Sequence, residues 1–251
     1  MTHQRNHQVS DWLYHTTIFT CFYGRMAGRF AVDVLWDGFL AKFLSRIPDG
    51  GTLLEVGAGP GLLAAGIIEN RPSLKIIVTD YSPQMLDLAR ANLAKISHKN
   101  DDISVRPDQV EFAQANAMDL SDFAHRKIEG IYSMGAIKHF PEPLHCLYQA
   151  STVLSDGGIM YFADSCSDGT YSGTKAIVAK LNLPSIASLL LRPILHFGLK
   201  REAPSAHEVK SWVSDFGDGG EIEVAFSMGG SMFRLMYQKN ERPSVTNVER
   251  N

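Results

Sequence analysis

The sequence predicts an α/β fold: a doubly wound, mostly parallel sheet with helices on both faces and one antiparallel strand. Three observations predict it. Short apolar runs alternate with helical apolar stripes between Thr52 and Ala163. A glycine-rich turn, Gly57-Ala58-Gly59-Pro60-Gly61, separates the first run from the first stripe. Two late runs, Glu221 to Ser227 and Ser231 to Gln238, meet at Met228-Gly229-Gly230 as a hairpin.

The elements follow in order. Residues 11 to 47 read as helical. Trp12, Leu13, Ile18 and Phe19 begin one apolar stripe, and Val32, Leu35, Phe39 and Phe43 belong to a second. Pro48-Asp49-Gly50-Gly51 turns into a first strand, Thr52 to Val56, followed by a helix from about Gly61 to Asn70. The second strand is Lys75 to Thr79. Ser82 then caps a helix with Pro83 at its first position, and Met85, Leu86, Ala89, Leu93 and Ile96 share one face. Residues 99 to 108 are polar and loop-like. The third strand is Val110 to Ala115 and the fourth Ile128 to Met134. Pro141 opens a helix through Leu154, and the fifth strand is Ile159 to Ala163. Residues 165 to 204 fit no simple crossover and read as an insertion. Ser205-Ala206-His207-Glu208 is a capping box for a helix through Phe216. The chain thus divides into a leading segment, residues 1–47, a domain over 48–240, and a polar tail, 241–251, expected to be disordered.

Length and composition set bounds. A chain of 251 residues is one domain that buries about three quarters of its unfolded surface, so it needs no disulfide or metal staple. A net charge of −3 without a basic cluster argues against nucleic acid as the main partner. Cys21, Cys146 and Cys166 are odd in number and far apart, which gives neither zinc spacing nor a disulfide framework and points to a reducing cytoplasm. Met1 to Ser10 lacks the apolar core of a signal peptide, and no run of about twenty apolar residues spans a membrane.

The chemistry begins at Leu53-Leu54-Glu55-Val56-Gly57-Ala58-Gly59-Pro60-Gly61, with Ile76-Ile77-Val78-Thr79-Asp80 one crossover later. This pattern binds an adenosine-containing ligand. Its glycines admit a close ligand, and the acid ending the second strand accepts from ribose hydroxyls. A dinucleotide site usually reads G-x-G-x-x-G, with a pyrophosphate on the helix N-terminus. Here Glu55 precedes the glycines and Pro60 sits among them. A carboxylate there suits a ligand with positive charge. S-adenosylmethionine carries an ammonium and a sulfonium and no phosphate. The run resembles the first motif of the class I S-adenosylmethionine-dependent methyltransferases. Asp80-Tyr81-Ser82-Pro83-Gln84-Met85-Leu86 resembles their second.

The resemblance covers residues 50 to 165 well and 205 to 239 loosely. It implies a Rossmann-like, seven-stranded methyltransferase sheet, a leading helical segment that caps the pocket, and S-adenosylmethionine as cofactor. By the same resemblance, Gly57, Gly59 and Gly61 pass under the methionine part, Ala58 belongs to the same cofactor site, and Glu55 meets the amino group; a turn-stabilising acceptor is the plainer role for Glu55. Asp80 takes the ribose hydroxyls. Tyr81 and Met85 flank the adenine, although Met85 equally suits the helix core. Asn116, followed by Ala117, stands where the family usually has an acid, and its carbonyl oxygen accepts from the adenine amino group. Asp119 starts the next turn. Ser133, Met134 and Gly135 lie beside the sulfonium.

Ile137-Lys138-His139-Phe140-Pro141-Glu142 resembles a run found in a subset of small-molecule methyltransferases. His139 is the catalytic candidate, because its ordinary pKa suits proton transfer near neutrality. The competing role is a loop-fixing histidine tied to Glu142. Lys138 is either a structural cation or a holder of an anionic substrate group. No metal ligand set stands out.

Ala176 to Leu199 is strongly apolar, with Lys175, Lys180, Arg192, Lys200 and Arg201 interleaved, and Pro184 and Pro193 should break it into short helical pieces. A lid, a membrane-docking surface and a dimer contact are all open, with position favouring the lid. Together with Phe19, Phe22 and Tyr23 it points to a lipophilic or aromatic small-molecule acceptor. The expected activity is methyl transfer to such a molecule. The alternatives are a non-catalytic cofactor-binding module, or cyclisation or decarboxylation with the same cofactor.

Overall fold

A computed structural model of the chain describes residues 42–99, 106, 108–181, 184–200, 202–217 and 219–241. The expected leading helices up to residue 41, Cys21 and the tail from residue 242 lie outside the described residues.

The strands are β1 (Thr52–Val56), β2 (Lys75–Asp80), β3 (Val110–Gln114), β4 (Gly130–Met134), β5 (Ile159–Ser165), β6 (Glu221–Ser227) and β7 (Met232–Gln238). They form one sheet in the order β3-β2-β1-β4-β5-β7-β6, as the fold class predicts. β1 to β5 pair in parallel, and β7 runs antiparallel to both β5 and β6. Chain order reverses between β1 and β4, so a crevice opens at their carboxyl ends.

The helices are α1 (Leu62–Asn70), α2 (Pro83–Lys99), α3 (Pro143–Val153), α4 (Tyr171–Lys180), α5 (Ser185–Lys200) and α6 (Ala206–Asp215). Strand alternation splits the core in two. Leu53, Ile76, Val78, Tyr132 and Tyr161 face α1 and α2, with Phe43 and Leu44 in the same layer. Leu54, Val56, Ile77, Ile131 and Phe162 face α3 and α6. Leu86, Ala89 and Leu93 are buried on the predicted face of α2.

Two expectations need correction. The helix after β4 opens at Pro143, not Pro141. Glu142 precedes a proline, which disfavours helical backbone there, and it sits at φ −132°, ψ 83°. A separate 3-10 turn, Ile137–His139, occupies the stretch before it. Pro184 does precede α5, but Pro193 lies inside that helix and does not break it. The bond Pro193 cannot donate would reach the carbonyl of Leu189, a residue on the exposed side of the helix.

The insertion is tied down at both ends. Ser167 N donates to the Pro204 carbonyl at 2.9 Å, and Cys166 N to that of Ser231 at 2.8 Å. Ala206 N donates to Asp168 Oδ2 at 2.8 Å. The predicted capping box of α6 is present. The hairpin turn at Met228-Gly229-Gly230 leans on the start of α4, where Thr170 N donates to the Gly229 carbonyl at 3.1 Å. Contact there is so close that a Cβ on Gly173 would sit 1.8 Å from the Met228 carbonyl oxygen.

Candidate functional site

The candidate site lies where β1, β2 and β4 end. Gly57, Gly59 and Gly61 take φ values of 71°, 53° and 69°. At Gly59 an added Cβ would meet nothing within 4 Å, so the glycine answers the backbone conformation and leaves open space beside the turn. At Gly57 a Cβ would lie 2.7 Å from that of Ala136, so the turns after β1 and β4 touch.

Asp80 clamps this arrangement. Gly59 N donates to its Oδ2 at 2.8 Å, and Ser82 N to its Oδ1 at 2.9 Å. One carboxylate therefore ties the glycine turn to the start of α2. Burial raises its pKa, and the backbone N–H groups of Ser82 and Gly59 oppose that rise.

Glu55 stands opposite Tyr132 in the β1–β4 register and is 2 % exposed. Burial pushes its carboxyl up to about 8; the Tyr132 hydroxyl opposes the rise and the Asp80 charge adds to it. Among the described residues its buried Oε2 finds no hydrogen-bond partner. A buried acceptor of this kind is costly unless a donor reaches it.

The other predicted residues divide. Tyr81, just past Asp80, is 73 % exposed. Met85 is buried in the first turn of α2, in keeping with a core role. Asn116 is exposed and turns its Oδ1 onto Met118 N at 3.0 Å, forming an Asx turn around the half-buried Ala117. Asp119 starts the next turn as expected, accepting from Ser121 N at 3.1 Å and Ser121 Oγ at 2.7 Å. Ser133 and Met134 are buried, and Ser133 Oγ has no hydrogen-bond partner among the described residues. Gly135 follows at φ 77°, its N donating to the Ala163 carbonyl.

His139 Nδ1 lies 3.0 Å from Glu202 Oε2, an acid from the far end of the insertion rather than the expected Glu142. Burial holds the imidazole pKa below its ordinary value, and the Lys138 charge works the same way; Asp164 and Glu202 oppose them. Lys138 is drawn into an ion pair, as its structural reading expects. Its Nζ pairs with the buried Asp164 Oδ1 at 3.0 Å, and its N donates to Oδ2 of the same residue at 3.2 Å. Asp164 and Glu202 were not singled out in the sequence. Asp164 carried a signal, as an acid closing the apolar run Ile159 to Ala163; Glu202 carried none.

Residues 54–162 match the family model described as a methyltransferase domain. Over that stretch the chain carries a methyltransferase domain. A trans-aconitate 2-methyltransferase of Methylobacterium radiotolerans is 27 % identical over 185 residues, covering 68 % of this chain and 64 % of the relative. The chain thus spans under two thirds of that relative's length. A demethylmenaquinone methyltransferase of Lactococcus lactis is 24 % identical over 215 residues, covering 82 % of this chain and 81 % of the relative. Among solved structures, the plantazolicin methyltransferase BamL, in complex with a triazolic desmethylPZN analog and SAH, superposes with a TM-score of 0.62. It is 14 % identical and covers 93 % of this chain and 95 % of that one, a likeness of the methyltransferase fold.

Proposed function

We propose that this methyltransferase domain binds S-adenosylmethionine and passes its methyl group to a lipophilic small molecule. The observation that carries the reading is the buried oxygen of Glu55, without a partner among the described residues, beside the Asp80-clamped glycine turn. An ammonium supplies the donor that this oxygen lacks. The uncovered Tyr81 ring offers a stacking surface for the adenine, and Asp80 the acceptors for the ribose. The sulfonium of the cofactor supplies an activated methyl group. The protein's task is then to align the acceptor in line at about 3 Å and to exclude water. The apolar insertion beyond β5 supports a lipophilic acceptor, as does the name of the Lactococcus relative.

Titration with S-adenosylhomocysteine tests the cofactor assignment, and a mass gain of one methyl in a lipophilic-acceptor screen tests the transfer. A carboxyl with its pKa at about 8 is mostly protonated at pH 7. An ammonium favours the ionised form, so binding at pH 7 releases close to one proton. Calorimetry in two buffers of different ionisation enthalpy measures this. Glu55→Gln abolishes the release; release that persists in that variant excludes Glu55 as the partner. The same raised pKa makes Glu55 stabilise the free fold fully below about 4.5, a contribution lost as pH rises towards 8. Glu55→Gln therefore flattens the fall in thermal stability across that window.

His139 is assigned the role of base, with Glu202 holding its ring. Its depressed pKa keeps it neutral at pH 7 and able to accept a proton. Turnover should fall as pH drops through that pKa. His139→Ala should lower kcat by about 100-fold with unchanged S-adenosylhomocysteine affinity. Full activity in that variant makes it a loop-fixing residue.

A further inference from the structure

We propose that α5 docks the protein on an anionic bilayer surface. Ile186, Leu189, Leu190, Ile194 and Phe197 are each 61–76 % exposed. Their spacing of three and four residues places them on one side of the helix. The opposite side carries Leu191 and Leu195, both partly buried. Among the described residues a continuous stripe of large apolar side chains therefore faces outward, which a soluble surface rarely leaves open.

Charge selects the occupant. Five of the 24 basic residues and none of the 27 acidic ones lie between Asp168 and Glu202, although the whole chain carries a net charge of −3. Lys175 and Lys180 are exposed on α4, and Lys200 ends α5. An apolar stripe within an acid-free basic segment matches the boundary between acyl chains and anionic headgroups. A second copy fits less well, because a two-fold contact through this face sets the same positive charges against each other. A helix of 16 residues is about 24 Å long, shorter than a bilayer's hydrocarbon core, so it lies in the surface plane. Among the described residues no helix is long and apolar enough to cross a membrane. The insertion leaves the sheet at the carboxyl end of β5, the edge that holds the candidate site. Docking would thus bring the acceptor entrance to the membrane, an extension that rests on the lipophilic-acceptor reading.

The test is flotation of the full chain with vesicles of phosphatidylcholine alone or mixed with phosphatidylglycerol. Mixed vesicles should carry the protein, neutral ones far less, and added salt should weaken the association. Leu190→Glu with Ile194→Glu should lower binding at least tenfold. Lys175→Glu with Lys180→Glu should lower it comparably, since each basic residue near an anionic surface contributes about fivefold. Equal S-adenosylhomocysteine affinity in all forms confirms that the variants are folded. Failure to float with mixed vesicles, or binding indifferent to both double variants, overturns the proposal. A dimer in sedimentation that Leu190→Glu with Ile194→Glu dissolves overturns it in favour of a contact between copies. Vesicle binding without cofactor affinity in the unaltered chain would count against the methyl-transfer reading alone.

Discussion

Asp80→Ala should lower the affinity for S-adenosylhomocysteine at least tenfold. Tenfold is about 1.4 kcal/mol, less than one hydrogen bond to a charged group is worth at the upper end of its range. Asp80 makes two such bonds before any ligand arrives, to Gly59 N and Ser82 N. Removing the carboxylate frees the glycine turn from the start of α2 and deletes the ribose acceptors together. Asp80→Asn separates these effects. Its amide keeps one oxygen for one backbone N–H and turns an NH2 towards the other, so an intermediate loss is expected. Calorimetric titration, with thermal unfolding to confirm a native fold, measures both. Unchanged affinity in Asp80→Ala would remove the cofactor from the end of β2.

Gly173→Ala should cost about 3 kcal/mol or more. A single methyl there would lie 1.8 Å from the Met228 carbonyl oxygen, and backbone cannot yield as a flexible side chain does. Relief requires α4 to lift from the hairpin turn, which breaks the bond from Thr170 N to the Gly229 carbonyl. For a domain of this size the midpoint of thermal unfolding should fall by roughly 10 °C. An equal midpoint would mean that the turn and α4 are not pressed together. Met228 adopts φ 51°, unusual for a residue with a side chain, so the turn has little freedom to move aside.

Local chemistry made much of this molecule legible. Short apolar runs located the strands, and β1 and β6 begin and end where the pattern places them. Ser205 and Glu208 marked the start of α6 because a capping box is contained within four residues. The glycine turn and Asp80 were readable for the same reason. What stayed hidden depends on distant partners. Lys138 looked like a candidate for the pocket rim until the fold brought Asp164 beneath it. His139 was read against a neighbour three residues away, yet its partner returns from the far side of the insertion. Pro193 shows the converse: a local rule gives way, and the helix runs through a proline beside exposed residues.

The bond between Ser167 and Pro204 has an evolutionary consequence. The chain leaves the sheet and returns to it through a single doorway, so everything between is a cassette with adjacent ends. Lengthening or shortening such an excursion changes closure entropy only slowly, about 0.6 kcal/mol for each doubling. The clamp at Asp80 and the buried acid at Glu55 lie in other parts of the chain. On the proposed reading, what the chain admits as acceptor and what it docks against can therefore drift while the residues proposed to hold the methyl donor stay fixed.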